Sequence, residues 1–140
     1  MSTGKKRTPC HCINLRRVAA HVTDYYSRVL KPCGLTVSQF SLLWTLDAME
    51  QSNTTALAER VGLDRSTLVR NLKPLQDAGF IDDISGDGQR DRVLHVTDKG
   101  KRALEIGRPL WKSAQKEIVA LLGPERLEVF NDVLHKLQRL

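Results

Sequence analysis

Between positions 65 and 73 the chain sets Arg65, Ser66, Thr67, Arg70, Asn71 and Lys73 around an aliphatic seam of Leu68, Leu72 and Leu75. At helical spacing, these residue types put hydrogen-bond donors on the outside of one helix. Arginine and asparagine can bond base edges in a major groove, while serine, threonine and lysine suit phosphate oxygens. Downstream, Arg90 and Arg92 stand at the end of a polar stretch, Gly86 to Asp91, between two short apolar runs. An arginine at such a tip can enter a minor groove, where the negative potential favours it. Asp87 and Asp91 dilute the charge there; they either brace Arg90 or Arg92 or keep the tip soluble. The chemistry on offer is recognition of duplex nucleic acid.

Positioning those donors requires two helices that cross closely. Ala58 is the small residue of the first, Gly62 allows a positive φ in the turn, and Leu68 closes the core from the second. Taken alone, this spacing also fits a plain helical hairpin with a solvated polar face. The next segment favours a winged helix instead. Phe80 to Ser85 and Arg92 to Thr97 each suit a short strand, and a glycine-bearing tip joins them.

The remaining chain is mostly helical. A first amphipathic helix begins at Ile13, after an arm spanning residues 1–12 that carries Lys5, Lys6 and Arg7, and ends at Pro32 and Gly34. Thr36 with Gln39 predicts a capping box, opening a helix to about Met49. Gln51-Ser52-Asn53 reads as a polar connection, and Thr54 or Thr55 starts a short helix to Val61. Asp64 is an N-cap for the next helix, with Val69 beside its core seam. Asp98 opens a long helix in which Pro109 predicts a kink or a break. Pro124 starts a last helix with Leu127, Phe130, Val133, Leu134, Leu137 and Leu140 on one side. The expected fold class is mainly α with a small β-hairpin wing. Residues 36–98 form the DNA-binding unit, and helices over 13–35 and 99–140 serve dimerisation.

Composition is consistent with this. The 140 residues suit one compact domain, and a formal net charge of +6 with a pI near 9.5 points to an anionic partner. No apolar run approaches the roughly 18 residues a bilayer span needs. No apolar stretch follows the basic start, so a cytoplasmic protein is expected. There is no glycine-rich phosphate loop, nucleophile elbow or paired metal motif, and His11, His21, His95 and His135 are scattered. Neither an enzyme nor a cofactor is expected. The other class kept open is a winged helix that docks on protein.

Taken together, the motifs resemble the MarR family of bacterial transcription regulators over about Ile13 to Leu140. The carriers are Gly34-Leu35-Thr36-Val37-Ser38-Gln39-Phe40, Leu57-Ala58 with Gly62-Leu63, Asp64-Arg65-Ser66-Thr67-Leu68, Leu75 before Gly79-Phe80-Ile81, and Val96-Thr97-Asp98-Lys99-Gly100. The resemblance implies a homodimer with interlocked terminal helices on a pseudo-palindromic operator. It implies a repressor, often released by a small aromatic or phenolic ligand or by thiol oxidation. Counting back from Thr97, the family's wing arginine falls on Arg90, but its acid falls on Gly88; Asp87 stands one residue earlier.

The resemblance also implies an effector pocket lined by the first, second and fifth helices. Carried over by element, Arg16, His21, Tyr25 and Trp44 are candidates to grip an aromatic acid, with plain core packing as the alternative for Tyr25 and Trp44. Cys10, Cys12 and Cys33 are candidates for a thiol switch or a soft-metal site. The Cys10-His11-Cys12 spacing is poor for structural zinc. Neither cysteine can reach Cys33 along one straight helix, so such a pair would form between subunits.

Overall fold

The computed structural model describes residues 6–88 and 91–140. Among them the order is α1 (His11–Leu30), a 3-10 turn (Lys31–Cys33), α2 (Val37–Ala48), β1 (Gln51–Asn53), α3 (Thr54–Val61), α4 (Arg65–Asp77), β2 (Ile81–Asp83), β3 (Val93–Val96), α5 (Asp98–Leu122) and α6 (Pro124–Leu137). The fold is mainly α with a small antiparallel sheet, as the sequence suggested.

Side-chain caps start four of the helices. The capping box of Thr36 and Gln39 is present at α2. Asn53 accepts from the Ala56 amide at α3, Asp64 from Thr67 at α4, and Thr97 from Gly100 at α5. Each cap satisfies an amide that the first turn leaves without a helical partner. Gly62, at φ 71°, ends α3 in the left-handed region, as the crossing motif requires.

Three features differ from the sequence reading. α1 begins at His11, so Cys12 lies inside the helix and Cys10 is its N-cap. Gln51-Ser52-Asn53 is a strand, not merely a connection. It makes the sheet three-stranded in the order β1-β3-β2, with Gln51 opposite His95 and Ile81 opposite Val96. Pro109 does not break α5, which runs as one helix of 25 residues. Pro109 and Glu105 are both exposed, so the carbonyl left unpaired one turn before the proline meets water. Val69 is 49% exposed, beside the core seam of α4 as its place in the sequence suggests.

The core gathers Phe40, Leu43 and Leu46 of α2, Leu57 of α3, Leu68 and Leu75 of α4, Ile81 and Leu94 of the sheet, and Leu104 of α5. α6 packs on α5 and buries no residue.

A tight junction joins the end of α4 to the start of α5. The Thr97 hydroxyl donates to the Gly79 carbonyl at 2.6 Å, and the Thr97 amide to the Phe80 carbonyl at 3.0 Å. Lys99 Nζ donates to the Ala78 carbonyl at 2.5 Å and sits 4.9 Å over the Phe80 ring. The chain therefore leaves α4 with the three carbonyls that follow it held by the N-cap and first turn of α5.

Candidate nucleic-acid interface

α4 is pinned at its start. The Asp64 carboxylate accepts from the Thr67 amide at 2.8 Å, the Ser66 hydroxyl at 2.7 Å and the Thr67 hydroxyl at 2.9 Å. These bonds, the backbone amide first, hold the Asp64 carboxyl down to about 2. The cap is therefore ionised at any pH at which the protein would meet DNA. Ser66 and Thr67 were assigned to phosphates, but their hydroxyl hydrogens already serve Asp64. Thr67 Oγ1 also accepts from Arg70 Nη2 at 3.3 Å, which steers the guanidinium along the helix.

Arg65, Arg70, Asn71 and Lys73 are all exposed on α4. Arg70 and Asn71 also line a cleft of about 590 Å³ against the first turn of α2, including Ser38. Lys73 pairs with Asp77 at 3.7 Å, one turn on. Both side chains are well exposed, so the pair is weak and the lysine is readily released to a phosphate.

The wing differs in its bracing. Arg92 Nη1 lies 2.6 Å from Asp83 Oδ2, so its acid is on β2 and is neither Asp87 nor Asp91. Ser85, by hydroxyl and amide, is the larger cause holding the Asp83 carboxyl below its ordinary range, and Arg92 adds to it. Asp91 instead accepts from the Thr54 hydroxyl, while the Thr54 amide donates to the Arg92 carbonyl at 3.1 Å. Thr54 chiefly, and the charge of Arg65 in smaller part, keep the Asp91 carboxyl low. The base of the wing is thereby strapped to the first residue of α3. Arg90 lies outside the described residues.

The sequence reading named Asp91 as a brace but gave it an arginine rather than Thr54, and it missed Asp83. Asp83 and Arg92 meet across the β2–β3 hairpin, whereas Thr54 reaches Asp91 because β1, three polar residues long, pairs with β3. No local period announces such a strand.

The effector candidates are not gathered at one place. Trp44 stands edge-on to Phe40 and Trp111, with centroids 5.3 Å and 5.2 Å apart. It borders a hollow of about 420 Å³ with Val37, Ser41, Thr45, Ala48 and Arg60. Arg108 lies 5.6 Å over the Trp44 ring and reaches Asp47 at 3.2 Å. His21 lines a separate shallow hollow with Asp24 and Arg28 of the same helix. Tyr25 stands edge-on to Tyr26 at 5.8 Å, and Arg16 is exposed. α1 buries only Tyr26 and Leu30, and neither Arg16 nor His21 lines the hollow beside Trp44. Trp111, Arg60 and Arg108 were not among the sequence candidates. Cys10 and Cys12 are exposed, and Cys33 is buried in the core. Among the described residues no group of three His, Cys, Asp or Glu side chains could hold a metal ion.

The same combination of reading helix, wing and long terminal helices occurs in known proteins. The family described as MarR matches residues 35–83. The chain is 34% identical to the Mycobacterium tuberculosis transcriptional regulator MosR in complex with DNA, covering 93% of this chain and 96% of that one, with a TM-score of 0.78. The chain belongs to the MarR family. The MarR-family repressor fold recurs in CouR, solved with p-coumaroyl-CoA, at 26% identity over 93% of this chain and 92% of that one, with a TM-score of 0.82. An HTH-type regulator of Bacillus subtilis, YwaE, is 24% identical over 94% of this chain and 83% of its own length. This MarR-family chain is accordingly a DNA-binding transcription regulator with a winged helix-turn-helix. Among its described residues no helix is long and apolar enough to cross a membrane.

Proposed function

We propose that the protein is a cytoplasmic homodimeric repressor of a pseudo-palindromic operator, released when a small aromatic ligand enters the hollow beside Trp44. Residues 36–98 read the DNA, and the helices over 13–35 and 99–140 join the two copies. Arg70 and Asn71 address base edges in the major groove, and Arg65 and Lys73 address phosphates. Arg90 and Arg92 serve the adjacent minor groove. Ser66 and Thr67 support the helix start through Asp64.

The observation that carries the ligand reading is the shared aromatic wall. Phe40, Trp44 and Arg60 come from the reading unit, and Trp111 from α5. A ligand held there touches both halves, so it can favour one arrangement over another. Its size lies within the range of small-molecule sites, and the tryptophan faces with Arg60 suit an aromatic anion. The CouR complex, which holds an aryl acyl-CoA, is consistent with an aromatic effector.

The experiment starts with selection of genomic fragments bound by the purified protein, which yields the operator. A panel of aryl carboxylates is then titrated against the complex. The expected result is operator release with quenched tryptophan fluorescence, both lost in Trp111→Ala. No response across a diverse panel would count against the ligand reading. A second trigger rests on the exposure of Cys10 and Cys12. Peroxide release that survives Cys33→Ser but is abolished by Cys10→Ser with Cys12→Ser would favour it.

A further inference from the structure

We propose that Val69 reads the C5-methyl group of a thymine in the operator. The inference rests on α4 lying in the major groove. Leu68, Leu72 and Leu75 form the buried seam of α4, each at most 2% exposed. A helix turns by about 100° per residue, so Val69 stands on the flank of that seam and is 49% exposed. Its neighbours one turn away on the same surface are Arg65, Ser66 and Lys73, all exposed. Val69 is therefore an aliphatic island in a cationic face that must meet an anionic polymer.

Core packing does not account for a valine there: it is half exposed, and a β-branched residue is a poorer helix former than alanine or lysine on an open helix surface. It borders a hollow of about 270 Å³ between α4 and the wing, with Leu72, Asp83, Arg92 and Leu94. That placement sets Val69 between the two parts that grip the duplex. Among the groups that base pairs present in the major groove, the thymine methyl is the apolar one. Valine against any other base edge would strip water from a donor or acceptor and return no hydrogen bond. The surrounding cations deliver the backbone, and Val69 selects which base sits beneath it.

The test uses the full-length protein and the operator obtained by selection. Each thymine of one half-site is replaced in turn by deoxyuridine, which removes only the methyl. Wild type is expected to lose about three- to fivefold in affinity at one position, the effect of leaving roughly one methyl group unburied. Val69→Ala should bind the thymine operator more weakly by a similar factor and make no distinction between thymine and uracil at that position. Its melting temperature should match wild type, since the site is on the surface. Indifference of wild type to every replacement would overturn the proposal. So would a Val69→Ala protein that still discriminates. Arg70→Ala separates this from the docking itself. If it relaxes base preference while methyl sensitivity ignores Val69, α4 is docked and Val69 is not the reader. If it leaves both affinity and preference unchanged, α4 is not in the groove and both readings fall.

Discussion

Phe130→Asp or Leu134→Asp in α6 is expected to abolish the dimer and lower operator affinity by at least about 100-fold. Phe130 and Leu134 are 43% and 41% exposed in the single chain, on the same face as Val133 and Leu137. All the residues of this 14-residue helix remain unburied by the rest of the chain. Leu15 and Val18 of α1 and Leu121 of α5 are exposed as well. Exposed apolar side chains in that number are what a second copy would cover. A carboxylate placed within it would have to be desolvated without a partner, a cost of several kcal/mol per ion. A two-fold interface imposes that cost twice. A monomer then binds one half-site, without the millimolar-range effective concentration that delivers the second reading helix. Sedimentation should find a species of one chain, 15.8 kDa, and circular dichroism should report how much helix survives. A dimer of undiminished operator affinity would refute the assigned interface.

The second large effect is expected from Gly100→Ala. In an open helix this change would stabilise by up to about 1 kcal/mol. Here a Cβ would be pushed against the Phe80 carbonyl oxygen and come within 2.6 Å of Val96 Cγ1. Backbone cannot swing aside as a flexible side-chain tip can, so the junction between α4 and α5 would have to open. A net loss of about 2–3 kcal/mol is expected, or roughly 10 °C in melting temperature. Gly86→Ala is the matched control, because its Cβ would meet nothing within 4 Å. Calorimetry on the two variants checks the contrast. Equal melting temperatures would mean that the close approach at Gly100 is not tight.

Local signals made much of this fold readable in advance. The caps at Thr36 and Asp64, the crossing at Ala58 and Gly62, and the seam of Leu68, Leu72 and Leu75 each operate within a few residues. What escaped depends on distant partners or on side-chain geometry. β1 is polar and three residues long, and it is defined by its pairing with β3 some forty positions away. Arg92 finds Asp83 across the wing rather than an acid at the tip. The ligand candidates were named element by element, whereas Trp111, Arg60 and Arg108 meet Trp44 only through the packing of α5 and α3 against α2. Donor residues on α4 were recognisable by type, but the commitment of the Ser66 and Thr67 hydroxyls to Asp64 depends on side-chain geometry.

The bonds from Thr97 and Lys99 to the carbonyls of Ala78, Gly79 and Phe80, just after α4, have a mechanical consequence. They weld the reading head to one end of a rod about 37 Å long, the span of a 25-residue helix. Two such rods, joined at their far ends, would behave as a pair of callipers. A swing of about 5° at the join would move each tip by about 3 Å, against a half-site separation of roughly 34 Å. A ligand wedged by Trp111 would need only to tilt the rod slightly for the tips to lose step with the double helix.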